Sequence, residues 1–92
     1  MALYALTYDV RAKNPDYKSL TEKLEEFHAV RVLQSTWCFN RHKTSASGLR
    51  NYFKQFVHDD DGLFVAEIAD WATKKADGTP NDLASSEAGA DS

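Results

Sequence analysis

The chain has 92 residues, enough for one small domain and too few for two. Hydrophobic residues make up 42% of it and aromatic residues 12%, a composition typical of globular rather than disordered proteins. A single cysteine excludes an internal disulfide, and no apolar stretch approaches the roughly 20 residues that cross a bilayer. The first residues lack the basic segment and long apolar run of a signal peptide, so we expect a soluble, cytoplasmic protein without a membrane partner.

The formal net charge of −3 is unevenly distributed. Residues 77–92 contain four acids and no lysine or arginine, whereas residues 1–76 contain ten acids and eleven bases. The C-terminal stretch has one leucine and no aromatic residue, too little apolar surface to offset the entropy lost on ordering. The sequence therefore predicts a folded domain over residues 1–76, with a net charge near +1, and a disordered acidic tail over residues 77–92.

Apolar patterns predict a strand and a helix in the first third of the chain. Residues 3–9 are rich in Tyr, Leu and Ala and lead into a charged segment, which is typical of a strand. Asn14 can then cap a helix that begins with Pro15 and Asp16. The apolar residues that recur at helical spacing after this cap are Tyr17, Leu20, Leu24 and Phe27.

Residues 29–40, AVRVLQSTWCFN, are β-rich but long for one strand, and Gln34 and Ser35 in their middle could be an exposed strand pair or a tight turn. Thr44 or Ser45 can cap a second helix. Its predicted apolar face consists of Leu49, Phe53, Phe56 and Val57. The run DDDG at 59–62 ends this helix, and residues 63–69 are a last apolar strand.

The interpretation of residues 29–40 decides the topology. A single strand there gives the order βαβαβ and a parallel sheet. A hairpin gives βαββαβ, the ferredoxin-like α+β sandwich with an antiparallel sheet and both helices on one face. We favour the ferredoxin-like fold, because a parallel three-stranded sheet needs helices on both faces and two helices cannot cover both well.

Both faces of the predicted sheet are apolar. Leu3 and Ala5 point to one side of the first strand, while Tyr4 and Leu6 point to the other. Two helices on one face would leave the other uncovered, and a chain this short buries only about 60% of its unfolded surface. The sequence therefore predicts a homodimer packed sheet on sheet, whose two-fold axis brings each residue of that face near its own copy.

Asp9 places a carboxylate where the first strand opens into a loop. In a two-fold dimer, two such carboxylates that lie close together can share a proton or a divalent cation. Magnesium held by carboxylates and substrate phosphates is a common arrangement for phosphodiester cleavage. The alternative is that Asp9 caps the loop or pairs with Arg11 or Lys13.

Two motifs resemble those of the small CRISPR-associated protein two family and its relative, virulence-associated protein D. The first is Tyr8-Asp9-Val10, since the family's first strand typically ends in Tyr-Asp-Ile or Tyr-Asp-Val. The second is RVLQSTW at 31–37, in which Ser35 and Trp37 fall on the serine and aromatic positions of the family's Arg-Val-Gln-x-Ser-Val-Phe. The resemblance spans roughly residues 3–70 and supports the hairpin at 29–40.

This resemblance implies a ferredoxin-like fold and a homodimer. In the members of the family that are nucleases, it also implies metal-dependent cleavage of RNA or DNA by the aspartate that corresponds to Asp9. The expectation is therefore a nucleic-acid-binding homodimer, with magnesium-dependent endonuclease activity if Asp9 binds the metal. The alternatives are a non-catalytic dimeric adaptor on the same fold, and a toxin-like ribonuclease of the virulence-associated protein D kind.

Nucleic-acid binding needs a basic surface, and three groups of bases are candidates. They are Arg11 and Lys13, Arg41 and Lys43, and Arg50 and Lys54. Together they could form one phosphate-contacting stripe across a dimer, or belong to an ordinary solvated surface. The acids at 59–61 and the three histidines lack the spacing of metal ligands. We expect the acids to form a helix-ending turn and the histidines to lie at surface or loop-end positions.

Overall fold

A computed structural model gives the fold of the chain over residues 2–11 and 17–83. Its strands are Ala2–Asp9 (β1), Val30–Leu33 (β2), Thr36–Arg41 (β3) and Gly62–Glu67 (β4), and its helices are Lys18–Glu26 (α1) and Ala46–Phe53 (α2). Short 3₁₀ turns span Lys54–Phe56 and Pro80–Asp82. Lys13, Asn14 and residues 84–92 lie outside the described residues, so their predicted roles stay predictions.

The four strands form one antiparallel sheet in the order β2-β3-β1-β4. The protein therefore has the α+β, ferredoxin-like βαββαβ arrangement, which confirms the predicted fold class. The hairpin interpretation of residues 29–40 is confirmed as well, because Gln34 and Ser35 form a turn between β2 and β3.

Both helices pack on one face of the sheet and form the hydrophobic core there. The buried core side chains are Tyr4, Leu6, Trp37 and Phe39 from the strands, and Leu20, Leu24, Phe27, Leu49 and Phe53 from the helices and the end of α1. The strand members occupy alternate positions, as the two-residue period of a strand requires. Leu6, Phe39 and Phe53 have no exposed surface, so truncating one of them to alanine should cost about 2–5 kcal/mol of unfolding free energy.

The opposite sheet surface, which we call the open sheet face, is formed by the other alternate positions. Ala5 pairs with both Cys38 and Ala66, and Thr7 pairs with Phe64, so these side chains share that face. Phe64 is 62% exposed, whereas Cys38 is only 1% exposed. Because both helices lie on the other face, a different part of the chain must cover Cys38.

Residues 77–83, which we call the C-terminal segment, lie against β2. The Asp77 amide donates a hydrogen bond to the Val32 carbonyl at 2.8 Å. Within the segment, Thr79 and Asp82 form a capping box, and the Thr79 amide donates to Asp82 Oδ2 at 2.9 Å. These residues are the first part of the predicted tail. They have few apolar side chains, and backbone and polar hydrogen bonds hold them in place.

Gly78 allows the C-terminal segment to approach the open sheet face closely. A Cβ atom at position 78 would lie 2.7 Å from both Val30 Cγ1 and the Arg31 carbonyl oxygen. Val30 is the strand partner of Cys38, so the segment covers the part of the face where this thiol lies. Burial, together with the charge of Asp82, raises the pKa of Cys38 to about 11.

Replacing Gly78 with alanine should therefore displace the C-terminal segment and expose Cys38. We expect Gly78→Ala to react with a soluble thiol reagent at least about tenfold faster than the wild type, with an unchanged circular dichroism spectrum. Gly48→Ala, the same change at an exposed helical glycine, should react as slowly as the wild type. Equal rates for Gly78→Ala and the wild type would show that this segment does not protect Cys38.

Candidate nucleic-acid interface

Three consecutive basic residues line one hollow between β3 and α2. Arg41, His42 and Lys43 surround a volume of about 390 Å³ together with the aromatic rings of Phe27 and Tyr52. The other lining residues are Thr44, Gly48 and Leu49. None of these described residues is acidic, and we call the site the basic hollow.

Backbone contacts fix the turn that carries these bases. Lys43 has a φ of 54°, a left-handed conformation that is uncommon for a residue with a side chain. Ser45 Oγ accepts a hydrogen bond from the Gly48 amide at 3.1 Å and caps α2, which confirms one of the two predicted caps. The Tyr4 hydroxyl donates to the Thr44 carbonyl at 3.1 Å and ties the turn to β1.

The guanidinium of Arg41 lies over the ring of Phe27. Its central carbon is 4.0 Å from the ring centroid, close enough for a cation–π interaction with the ring. Tyr52 lies against the same Phe27 ring, with centroids 5.9 Å apart and planes inclined by 28°. Neither Arg41 nor Lys43 forms an ion pair within the described part of the chain, so their charges are available to an anion.

Arg50 and Lys54 lie in a second hollow of about 580 Å³ on the other side of α2. Their helix positions differ from those of Gly48 and Tyr52 by roughly half a turn. The second hollow also contains Asp59 and Asp61, among its other lining residues. The structure thus places two of the three predicted groups of bases on opposite sides of α2, whereas Arg11 lies at the end of β1 and Lys13 is outside the described residues.

Asp9 and Arg11 form an ion pair at the end of β1, away from the basic hollow but next to the second hollow, whose lining residue Asp61 bonds to the Arg11 amide. Arg11 Nε donates to Asp9 Oδ2 at 3.0 Å, and the two side chains are 58% and 70% exposed, respectively. The Arg11 guanidinium also reaches the Asp60 carbonyl at 3.4 Å and lies over Gly62. The structure therefore gives Asp9 the partner that the alternative interpretation named, and such an exposed pair contributes at most about 1 kcal/mol.

Asp61 organises the loops around this ion pair, although the sequence indicated only a helix-ending turn there. Its Oδ1 accepts from the Arg11 amide at 2.9 Å. Its Oδ2 accepts from the Tyr17 hydroxyl at 2.7 Å and from the His58 amide at 2.9 Å. The hydrogen bond from the His58 amide to Asp61 is a local turn pattern of the kind that a sequence can indicate. The hydrogen bonds from Arg11 and Tyr17 span 50 and 44 residues, so no local sequence pattern predicts them.

The hydroxyl of Tyr17 is held in its neutral form by this network. Partial burial and the hydrogen bond to Asp61 raise the pKa of Tyr17 from 10.0 to about 12. The Tyr17 ring also stacks on Tyr8, with centroids 5.3 Å apart, and meets the edge of His58 at 5.7 Å. These contacts connect the start of α1 to β1 and to the loop before β4.

The residues around Asp9 in a single chain do not fit a magnesium site. A magnesium ion takes oxygen ligands in octahedral geometry, and Asp9 already pairs with Arg11, whose positive charge opposes a cation there. Over residues 2–11 and 17–83, no group of three or more His, Cys, Asp or Glu side chains is placed to hold a metal ion. The magnesium prediction therefore requires ligands from a second copy of the chain.

Comparison with known proteins identifies no relative, since no family model matches the chain and no curated protein or solved structure matches it significantly. The resemblance to CRISPR-associated protein two and virulence-associated protein D thus rests on the two sequence motifs. Within the described residues, neither helix has the length and apolar character needed to cross a membrane.

Removing the Tyr17 hydroxyl should destabilise the fold in a pH-dependent way. We expect Tyr17→Phe to lower the free energy of unfolding by about 1 kcal/mol at neutral pH, because Asp61 loses a donor. The pKa is raised in the folded state, so this contribution is complete below pH 10 and is lost as the pH rises from 10 towards 12.

Urea denaturation of the wild type and Tyr17→Phe at several pH values measures this difference. Tyr52→Phe is the matched control, because the Tyr52 hydroxyl has no hydrogen bond to a described residue, and its stability should equal that of the wild type. A difference between Tyr17→Phe and the wild type that persists unchanged above pH 12 would contradict the assigned role of this hydroxyl.

Proposed function

We propose that the protein binds nucleic acid and that the basic hollow contacts its phosphates. The observation that carries this proposal is the grouping of Arg41, His42 and Lys43 with two aromatic side chains, without an acid, in a chain of net charge −3. Arginine and lysine side chains are the usual partners of phosphate oxygens, and the exposed ring of Tyr52 is a stacking surface for a base.

The geometry of the hollow supports phosphate binding in two ways. Arg41 is held over the ring of Phe27, so less side-chain freedom is lost when its guanidinium donors meet a phosphate. Lys43 lies in a turn whose backbone is held by the Ser45 cap and by the hydrogen bond from the Tyr4 hydroxyl to the Thr44 carbonyl. A cation whose position is fixed in advance binds an anion more tightly than a mobile surface side chain, and Arg41 is held in this way by Phe27.

Removing the charge of Lys43 should weaken binding. We expect Lys43→Asn to raise the dissociation constant for a labelled oligonucleotide about tenfold at low salt, which corresponds to about 1.4 kcal/mol. The slope of log affinity against log salt should also fall by about one unit, because one phosphate contact is lost. Asparagine is chosen because it tolerates the left-handed backbone of Lys43.

Lys75→Asn is the matched control for this experiment. Lys75 is exposed, lies outside the basic hollow and has a φ of 52°, so the substitution makes the same chemical change on the same backbone conformation. Fluorescence anisotropy should show wild-type affinity for Lys75→Asn. Equal weakening by both substitutions would mean that only the net charge matters, and it would contradict the proposed site.

Magnesium-dependent cleavage by a homodimer is the second candidate function. The position of Asp9 favours it, because Asp9 shares a shallow hollow with Thr7 and Phe64 at the edge of the open sheet face. Phe64 is 62% exposed there and gives a second copy an apolar surface to cover. The two Asp9 carboxylates would hold magnesium, which supplies charge neutralisation and an activated water for phosphodiester cleavage.

Two substitutions separate dimer formation from cleavage. We expect Phe64→Glu to be monomeric by light scattering at micromolar concentration and to lose magnesium-dependent cleavage of RNA or DNA, because the charged side chains would repel at the interface. Asp9→Asn should keep the dimeric mass and lose the cleavage. A monomeric wild type, or cleavage that Asp9→Asn leaves unchanged, would contradict this second candidate.

A further inference from the structure

The middle third of the chain contains none of its 14 acids. Residues 27–58 include five arginines and lysines and no Asp or Glu, so every acid lies in residues 1–26 or 59–92. This acid-free stretch contains the whole of α2 and the arginines and lysines of both hollows. The helix therefore separates the two pairs of bases without placing a negative charge between them.

The surface of α2 between the two hollows is polar and neutral. Leu49 and Phe53 are buried beneath the helix, and Ser47 and Asn51 lie roughly opposite them, where both are exposed. Asn51 Oδ1 accepts a hydrogen bond from Arg50 Nε at 3.1 Å, which connects the guanidinium to this exposed side. A phosphate chain that crosses the helix here meets a hydroxyl and an amide, and no carboxylate of the helix repels it.

The bases of the second hollow can also attract an anion. Neither Arg50 nor Lys54 forms an ion pair within the described part of the chain. The two acids of this hollow, Asp59 and Asp61, belong to the loop before β4. Asp61 already accepts hydrogen bonds on both carboxylate oxygens, so its charge is partly compensated. Asp59 is then the main acid that opposes an anion in this hollow, against two bases.

The width of α2 corresponds to a short length of single strand. A helix with its side chains is about 10–12 Å across, and the phosphates of a stacked strand advance about 3.4 Å per nucleotide, so about four nucleotides reach from one hollow to the other. A strand that passes over a helix must curve, and a duplex resists bending over lengths of roughly 150 base pairs. The exposed ring of Tyr52 also requires an unpaired base for stacking.

We propose that a single-stranded nucleic acid crosses α2 and binds both hollows through its phosphates. The basic hollow contributes Arg41 and Lys43, and the second hollow contributes Arg50 and Lys54. This inference rests on the proposed function, because it extends the same site over the helix. A strand of about two nucleotides occupies only the basic hollow, whereas a strand longer than about four nucleotides occupies both.

The test measures the affinity of a labelled dinucleotide and of a labelled dodecanucleotide of the same base by fluorescence anisotropy. We expect Lys54→Gln to raise the dissociation constant of the dodecanucleotide about tenfold at low salt and to lower its salt slope by about one unit, because one phosphate contact is lost. The same variant should change the affinity for the dinucleotide less than about twofold. Lys43→Asn should weaken the binding of both strands.

Lys74→Gln is the matched control for Lys54→Gln. Lys74 is also exposed but lies outside both hollows, so this variant should bind both strands as the wild type does. Circular dichroism melting verifies that both variants are folded. In a further arm, the dodecanucleotide is annealed to its complement, and the wild type should bind this duplex at least about tenfold more weakly than the single strand.

The outcomes separate the inference from the proposed function. If Lys54→Gln leaves the affinity for the dodecanucleotide unchanged, or weakens both strands equally, the path across α2 is wrong and binding at the basic hollow still stands. A duplex that binds as tightly as the single strand would overturn the choice of a single strand. A wild type that binds neither strand would overturn the proposed function itself.

Discussion

The ring of Phe27 belongs to both the hydrophobic core and the basic hollow, and this shared position links the fold to the candidate site. Inside the protein, Phe27 packs against Phe39 and Phe53, with centroids 5.3 and 5.1 Å apart. Towards the hollow, it carries the guanidinium of Arg41 and contacts Tyr52. The position of Arg41 therefore depends on the core packing that holds this ring, and a core that packed differently would also move the arginine.

The two faces of the sheet have different physical roles. The helix-covered face supplies the core, so the side chains at its alternate strand positions are large and buried. The C-terminal segment covers one part of the open sheet face, around Cys38. The other part, formed by β1 and β4, includes the exposed Phe64 of β4. A second copy of the chain that docks on this face meets the β1 and β4 side first, because the other side is already covered.

Much of the fold could be predicted because it depends on local patterns. The period of Leu20, Leu24 and Phe27 gave α1, and the length of residues 29–40 together with the small number of helices gave the hairpin. The C-terminal segment could not be predicted, because its packing uses the missing side chain of Gly78 and a backbone hydrogen bond. Counting apolar residues does not detect such contacts.

The candidate site was less predictable than the fold. Its bases were predicted as local groups along the sequence, but only the tertiary structure shows that Arg41 and Lys43 lie across α2 from Arg50 and Lys54. The role of Asp61 also depends on contacts that are distant in sequence. Asp9 and Arg11 are only two residues apart in the sequence, so their pairing could be predicted as one of the alternatives.

The central claim is that nucleic acid binds at the basic hollow, and an NMR titration of the ¹⁵N-labelled protein with a short single-stranded oligonucleotide tests it most directly. The account predicts that the largest chemical-shift changes fall on amides of residues 41–49 and on Tyr52, with little change around Asp9 and Phe64. Changes centred on Asp9 and Phe64, or none at saturating oligonucleotide, would contradict it.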